Sequence, residues 1–363
     1  MLKNRRNAIK ILIYIAVILL SAYLILSGKA ELDPIYIRAF VIITSLIIAN
    51  TGILASREID FIAAKMTKRF KSVKKISLLL VAITLLVSTA MTNDASLLIL
   101  IPITVEIGII SRKSLLNTII MQVIAANVGS MLTPFGNPQN IIMFLRYHQT
   151  AFHFIVGILP AFAISIILLF TFTFFLVKDS KLKTNYKAKK PHMPLFYSSL
   201  LIFIIDVIGM LLGYGEYFFI AMIIVSVCLL AFIRIPGSKR LLTLRKVDML
   251  LILIFFIIFM IFGALNSIIP LPKSNSLLDQ FIYAILISQI ISNVPTSVLL
   301  KTFAFIPLLW GVNIGGNGSI IASLANIIGL RQMKEKRKYL SFLKISFLFL
   351  LINASIAAIV IYL

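Results

Sequence analysis

Two aspartates stand where the chain is otherwise apolar: Asp94 in MTNDASLLIL and Asp206 in IFIIDVIGM. A carboxylate near the middle of a bilayer is costly and by default marks a functional site, so each could carry a coupling proton, or Na⁺ if neutral oxygens surround it. Such oxygens are supplied by a repeated fourteen-residue stretch. Asn127 to Asn140 reads NVGSMLTPFGNPQN and Asn313 to Asn326 reads NIGGNGSIIASLAN. Both run Asn-x-Gly, then Ser or Thr at the seventh position, a small residue at the tenth and Asn at the last. Gly129 pairs with Gly315, Ser130 with Gly316, Thr133 with Ser319, Gly136 with Ala322, and Asn140 with Asn326. Each copy follows an apolar stretch interrupted by an Asn: Thr92-Asn93-Asp94 in the first half, and Ser292-Asn293-Val294-Pro295 with Thr296 in the second. Paired interruptions in the two halves of a membrane protein point to a transporter's binding site.

Asn137 and Asn317 add further neutral ligands within the motifs. A helix broken in the membrane ends in free N–H groups on one side and free carbonyls on the other; the first favour anionic or polar oxygens and the second Na⁺. Glycines at Gly129, Gly315, Gly316 and Gly318 would permit positive φ and close approach, and Pro134 and Pro138 would keep the first break open. Plainer readings compete. Asp94 could cap the arm it begins, Asp206 could make one buried structural hydrogen bond, and single Asn and Ser residues could be interhelical glue. Glu106 suits an interhelical pair and Lys301 a snorkelling side chain. Two matched sets favour a site over glue.

The elements that position these residues are membrane helices. The 363-residue chain is 60% hydrophobic with a mean hydropathy of +1.06, which excludes an ordinary soluble domain. Apolar runs predict spans at about 11–27, 35–56, 151–177, 195–212, 217–233, 249–269 and 340–362. Residues 57–75 read as a basic amphipathic helix on the membrane surface. The stretch 76–111 is too long for one crossing; split at Asn93-Asp94 it gives two arms of about 16 residues, roughly 24 Å each. It is expected to be a re-entrant hairpin, followed by a broken span over 114–146. A second hairpin over 276–305 and a second broken span over 306–330 follow. The expected fold is all-α, with about nine full spans, two re-entrant hairpins and two broken helices. It divides into a first repeat over 1–177, a basic loop and connecting span over 178–213, and a second repeat over 214–363.

With the N-terminus in the cytoplasm and the C-terminus outside, 29 of the 35 Lys and Arg fall in cytoplasmic segments, as the positive-inside rule requires. The two hairpins then enter from opposite faces and the halves form an inverted repeat. The net charge of +23 is spread in short patches between apolar runs, which suits orientation and anionic lipid headgroups rather than nucleic acid. Cys228 stands alone in an apolar segment, and the three histidines lie at segment ends or in a loop, so neither a disulfide nor a thiol metal site is indicated. The N-terminal run lacks a small-residue cleavage site and reads as a first span. No nucleophile motif or glycine-framed aspartate pair supports an intramembrane hydrolase.

MTNDASLLILIPI with NVGSMLTPFGNPQNII, and ISNVPTSVLL with NIGGNGSIIASLANII, together resemble the ion transporter superfamily. The likeness is nearest to its arsenite permease and NhaD-like antiporter branch, with the divalent-anion/sodium symporters as relatives. It covers roughly 76–142 and 276–330. The resemblance implies hairpin tips meeting broken helices at a central site, a homodimer through scaffold spans, and elevator-like movement of the core in a prokaryotic cytoplasmic membrane. It places Thr92, Asn93 and Asp94 at the inner tip and Ser292, Asn293 and Thr296 at the outer. The symporters carry Ser-Asn-Thr at both tips, whereas here the inner tip has Thr-Asn-Asp and the outer Ser-Asn-Val-Pro. That departure turns the expectation from a sodium-coupled dicarboxylate symporter towards a carrier of an inorganic anion or arsenite-like solute driven by H⁺ or Na⁺, with a Na⁺/H⁺ antiporter as the alternative. No cofactor beyond the coupling ion is expected.

Overall fold

The computed structural model describes residues 19, 22, 23, 26, 27, 33–67, 70–181, 190–233, 243–265, 274–333 and 335–362. Most of the expected first span lies outside these residues, as do much of the basic loops at 182–189 and 234–242 and the approach to the second hairpin at 266–273. The described chain is helical throughout, with one isolated backbone bridge between Ser72 and Lys181. Among the described residues, six helices are long and apolar enough to cross a membrane.

The first is α1, Pro34–Ser56, opened by Pro34 at its first position and by the Asp33 carboxylate accepting from the Ile35 N–H. Proline costs nothing there because that N–H has no helical partner. A short helix α2, Glu58–Thr67, follows a left-handed Arg57. The expected surface helix over 57–75 is therefore ten residues long, because Ser72 already caps the next helix through the Lys75 N–H.

The first hairpin is α3, Val73–Ala90, and α4, Asn93–Ser111. Its arms of 18 and 19 residues exceed the expected 16. The broken helix beside it is α5, Leu116–Ser130, and α6, Pro138–Arg146. The hairpin tip is level with the break, since the Asn93 N–H donates to the Gly136 carbonyl at 3.1 Å. The chain continues with α7, Ala151–Leu176; α8, Met193–Leu211; α9, Glu216–Phe232; and α10, Met249–Leu265. The second hairpin is α11, Leu277–Ile291, and α12, Asn293–Leu299; the second broken helix is α13, Phe305–Ile314, and α14, Leu324–Gln332; α15, Lys338–Tyr362, ends the fold.

Packing follows the repeat. Helix α3 lies along α5 as α11 lies along α13, and each returning arm meets the far half of the other repeat's broken helix: α4 against α14, α12 against α6. Small residues allow this approach. A Cβ on Gly129 would clash with the Leu85 carbonyl and lie 3.1 Å from the Ser88 Cβ, and one on Gly315 would lie 3.1 Å from both the Ile285 Cα and the Ser288 Cβ. Around this core, α1 carries α8 and α9 and also meets α6 and α10.

Candidate functional site

The two motifs meet at the breaks, and their carboxamides bond crosswise. The Asn127 Nδ2 donates to the Asn326 Oδ1 at 2.9 Å, and the Asn313 Nδ2 donates to the Asn140 Oδ1 at 2.8 Å. The first asparagine of each copy is thus tied to the last asparagine of the other. A second pair repeats the exchange: the Asn137 Nδ2 donates to the Asn313 Oδ1 at 3.1 Å and the Ser323 Oγ to the Asn127 Oδ1 at 3.2 Å. Asn137 and Ser323 occupy the same motif position and both cap the second half of their helix, accepting from the Asn140 and Ala325 N–H groups.

The rest of each motif closes its own break. Asn140 donates to the Ser130 and Thr133 carbonyls; Asn326 donates to those of Gly316 and Ser319. The Thr133 hydroxyl donates to the Thr89 carbonyl and the Ser319 hydroxyl to the Gln289 carbonyl, while the Thr89 hydroxyl and Gln289 amide reach back to the carbonyls of Gly129 and Gly315. Orphan carbonyls at a helix end need such partners when water is absent. The asparagines expected to coordinate a ligand are therefore largely spent on one another and on the backbone. Of the motif glycines, Gly318 alone takes a positive φ, at 99°, so Gly129 and Gly315 serve close approach and not backbone reversal. Pro138 does not break a helix interior but stands at the first position of α6.

The hairpin tips differ. Thr92 caps α4 by position, its hydroxyl accepting from no N–H of the helix, and the Asp94 N–H donates to the Asn93 Oδ1 at 2.9 Å. At the second tip Ser292 has φ 80° and ψ 154°, a region that residues with a side chain enter only under strain and mostly at working sites. Its hydroxyl donates to the Ala322 carbonyl at 3.3 Å; the Thr296 hydroxyl is turned back onto the Ser292 carbonyl at 2.8 Å. The buried Asn293 amide lies against Gly316, and Asn317 accepts from Asn127 through its Oδ1.

Asp94 stands apart from this saturated network. It is 6% exposed, its side chain caps nothing, and its Oδ1 has no hydrogen-bond partner among the described residues. It lines an open cavity of about 320 Å³ that runs along α1 from Ile47 to Arg57, bounded also by Thr92, Asp60, Lys246, Asp248 and Leu251. A small void of about 10 Å³ carries the same wall on to Asn137. At the Arg57 end, burial pushes the Asp60 carboxyl above its ordinary value against the pull of Arg57, and burial with Arg57 pushes the Lys246 ammonium down. Asp206 is elsewhere: fully buried between α8 and α1, it accepts from the Ser45 hydroxyl at 2.9 Å on both oxygens.

Four contributors lie outside the residues the sequence singles out. Ser323 was signalled by its register with Asn137, and Thr89 and Gln289 by their equal distance before Asn93 and Asn293. Asn50, on the cavity wall, was visible as part of the polar pair Asn50-Thr51 inside an apolar span.

Comparison with known proteins agrees with this architecture. The sequence profile described as citrate transporter, CitMHS, matches residues 4–305. An uncharacterized transporter of Methanocaldococcus jannaschii is 36% identical over 283 residues, covering 75% of this chain and 74% of that protein. The inner membrane protein YbiR of Escherichia coli is 28% identical over 314 residues, covering 83% and 81%. A silicon efflux transporter of Oryza sativa is 32% identical over 79 residues, 22% of this chain and 16% of that protein. Helices of membrane-crossing length, two hairpin tips against two broken helices, and a match over most of the chain lead to one assignment: this is a multi-pass membrane transporter, not an enzyme, and it belongs to the citrate transporter family of the ion transporter superfamily.

Proposed function

We propose that the protein is a secondary active transporter of a small inorganic anion or arsenite-like solute, driven by H⁺ or Na⁺ through Asp94, with the inverted halves alternating access by an elevator-type movement. The observation that carries this reading is the buried, unpartnered Asp94 oxygen at the inner end of an open cavity. A carboxylate at that depth is costly to charge alone, so it takes up a proton or a cation when the cavity delivers one. The distribution of Lys and Arg puts the Arg57 end of the cavity in the cytoplasm. The first hairpin tip, with Asn137 beyond it, walls the inner end, and the molecule works as a homodimer through its scaffold helices. Asp206, bonded to Ser45 in the scaffold, is the weaker coupling candidate.

The departure of the inner tip to Thr-Asn-Asp favours the arsenite-like branch over carriage of a carboxylate, and one relative, over 79 residues, is named a silicon efflux transporter. A Na⁺/H⁺ antiporter is the second reading, favoured by the bare carboxylate beside neutral oxygens. Proteoliposomes with an imposed pH gradient test both. Asp94→Asn should abolish gradient-driven flux while solute exchange at equal pH persists; unchanged driven flux would sink the coupling role. Proton movement driven by Na⁺ or Li⁺ with no solute present would move the protein to the antiporter reading.

A further inference from the structure

A second side chain on the cavity wall shares the condition of Asp94. Asn50, on α1 and outside both motifs, is 3% exposed; its Oδ1 has no hydrogen-bond partner among the described residues. Its Nδ2 donates to the Thr92 Oγ1 at 3.1 Å, which fixes the amide with its oxygen left over. Thr92 in turn precedes the first turn of α4, where Asp94 sits. Asn50, Thr92 and Asp94 all line the 320 Å³ cavity. Buried polar atoms are nearly always paired, so two orphaned oxygens on one wall mark a place that a ligand completes.

Both orphans are acceptors. A carboxylate and a carboxamide oxygen repel an oxyanion and are met by O–H groups or by a cation. Of the charged groups bordering the cavity, Arg57 lies near Asp60 and Lys246, whereas Asp248 is felt electrostatically at Asp94 and adds negative charge there; Asn50 lies two helical turns from Arg57, about 10 Å along α1.

We propose that Asn50 Oδ1 and Asp94 Oδ1 form one acceptor site bridging α1 and the α4 tip, that it binds an uncharged inorganic solute through its O–H groups, and that Asn50 sets the preference for that solute over an oxyanion. This rests on the assignment of the cavity as the transport site. Because the site spans a scaffold helix and a hairpin tip, an occupant joins the two parts that must move against each other.

The test uses the full-length protein in proteoliposomes, with arsenous acid and boric acid as uncharged probes, and sulfate and citrate as anionic ones, measured by counterflow at equal pH. Wild type should carry the uncharged probes in preference. Asn50→Leu should raise their KM roughly tenfold, the loss expected for one hydrogen bond in a buried site. Thr92→Val, which releases the Asn50 amide without removing it, should raise KM less; it keeps the idea testable if Asn50→Leu does not fold. Preferential carriage of sulfate or citrate by wild type would overturn the proposal, as would an unchanged KM in folded Asn50→Leu. Na⁺ raising the unfolding temperature of wild type but not of Asn50→Leu would overturn it in favour of a cation site. The two readings fail separately: an unchanged KM in Asn50→Leu with flux uncoupled in Asp94→Asn sinks only this inference, and the reverse pattern sinks only the coupling role.

Discussion

At the scale of single residues, the crossed asparagines have the most to lose from substitution. The Asn127 amide donates towards three oxygens, those of the Gly316 carbonyl, Asn317 and Asn326, while its own oxygen accepts from Ser323. Asn127→Ala strips four groups of a partner where water is scarce, and should cost about 2 kcal/mol or more. Asn127→Asp keeps the shape but turns an oxygen towards those three acceptors, so it should be the worse of the two. Thermal unfolding in detergent would rank them, and a cycle with Asn326→Ala should show coupling well beyond additivity. An aspartate variant as stable as wild type would show that the amide faces a ligand rather than the opposite motif. This is the point at which the sequence ran out. Its repeat gave the register of Asn127 with Asn313 and of Asn140 with Asn326, but matching positions are equally consistent with a shared ligand and with mutual bonding. Only the relative placement of the two breaks decides it. Asp94 was legible because a carboxylate is conspicuous in an apolar run; the polar pair Asn50-Thr51 is in view as well, but only the orphaned Asn50 oxygen tells a ligand site from interhelical glue.

Between elements, the contact of each hairpin's first arm with its broken helix depends on glycine. At Gly129 the obstruction to a side chain is the Leu85 backbone carbonyl, which cannot swing aside as a side chain could. Gly129→Ala should therefore push α5 off α3 and destabilise the protein by about 1–3 kcal/mol. Trimming Ser88 to Gly should recover little of that, because the Leu85 carbonyl stays in place. Gly215, with nothing within 4 Å of an added Cβ, is the control and should accept alanine with no comparable loss. Unfolding temperatures of the three variants check the argument; a full rescue by Ser88→Gly would show that the side chain, not the backbone, sets the distance. The breaks themselves were readable, since a Gly- and Asn-rich stretch cannot continue a helix cheaply in lipid. The short returning arm α12 was not. The run VLLKTFAF is apolar and suggests a longer helix. It stops because the Gln280 Oε1, far away in sequence, accepts from the Ala304 N–H at 2.6 Å, while Lys301 in the turn stays exposed. A tertiary partner of that kind leaves no local mark.

For the whole molecule, the two ends of α1 are in opposite conditions. Towards Arg57 it borders the open cavity. Towards its start, Tyr36 is drawn into a closed cluster in which the Arg146 Nη1 donates to the Ser297 carbonyl at 2.6 Å and the Nη2 to the Tyr36 hydroxyl at 3.0 Å. The guanidinium also lies 5.7 Å from the Tyr36 ring centroid, and the Tyr147 hydroxyl ties to the Phe303 carbonyl. A cation on the carbonyls near the C-terminal end of α12 is favoured by both charge and helix dipole. On the alternating-access reading, this cluster joins α6 and α12 of the core to α1 of the scaffold only while the opposite end is open. Any change that weakens it should raise the population of the other state by its differential contribution. A charge-assisted hydrogen bond worth about 1.5 kcal/mol corresponds to roughly a tenfold shift. The measurement places Ala95→Cys in the cavity wall of a Cys228→Ser background and follows a membrane-impermeant thiol reagent applied to either face. Labelling should come from the cytoplasmic face in the parent. Adding Arg146→Met should raise labelling from the outer face about tenfold without lowering the amount of folded protein. If outer labelling stays unchanged while the cytoplasmic face still labels, the Arg146 cluster is fixed packing within one body, and the moving boundary must be sought on another surface of α1.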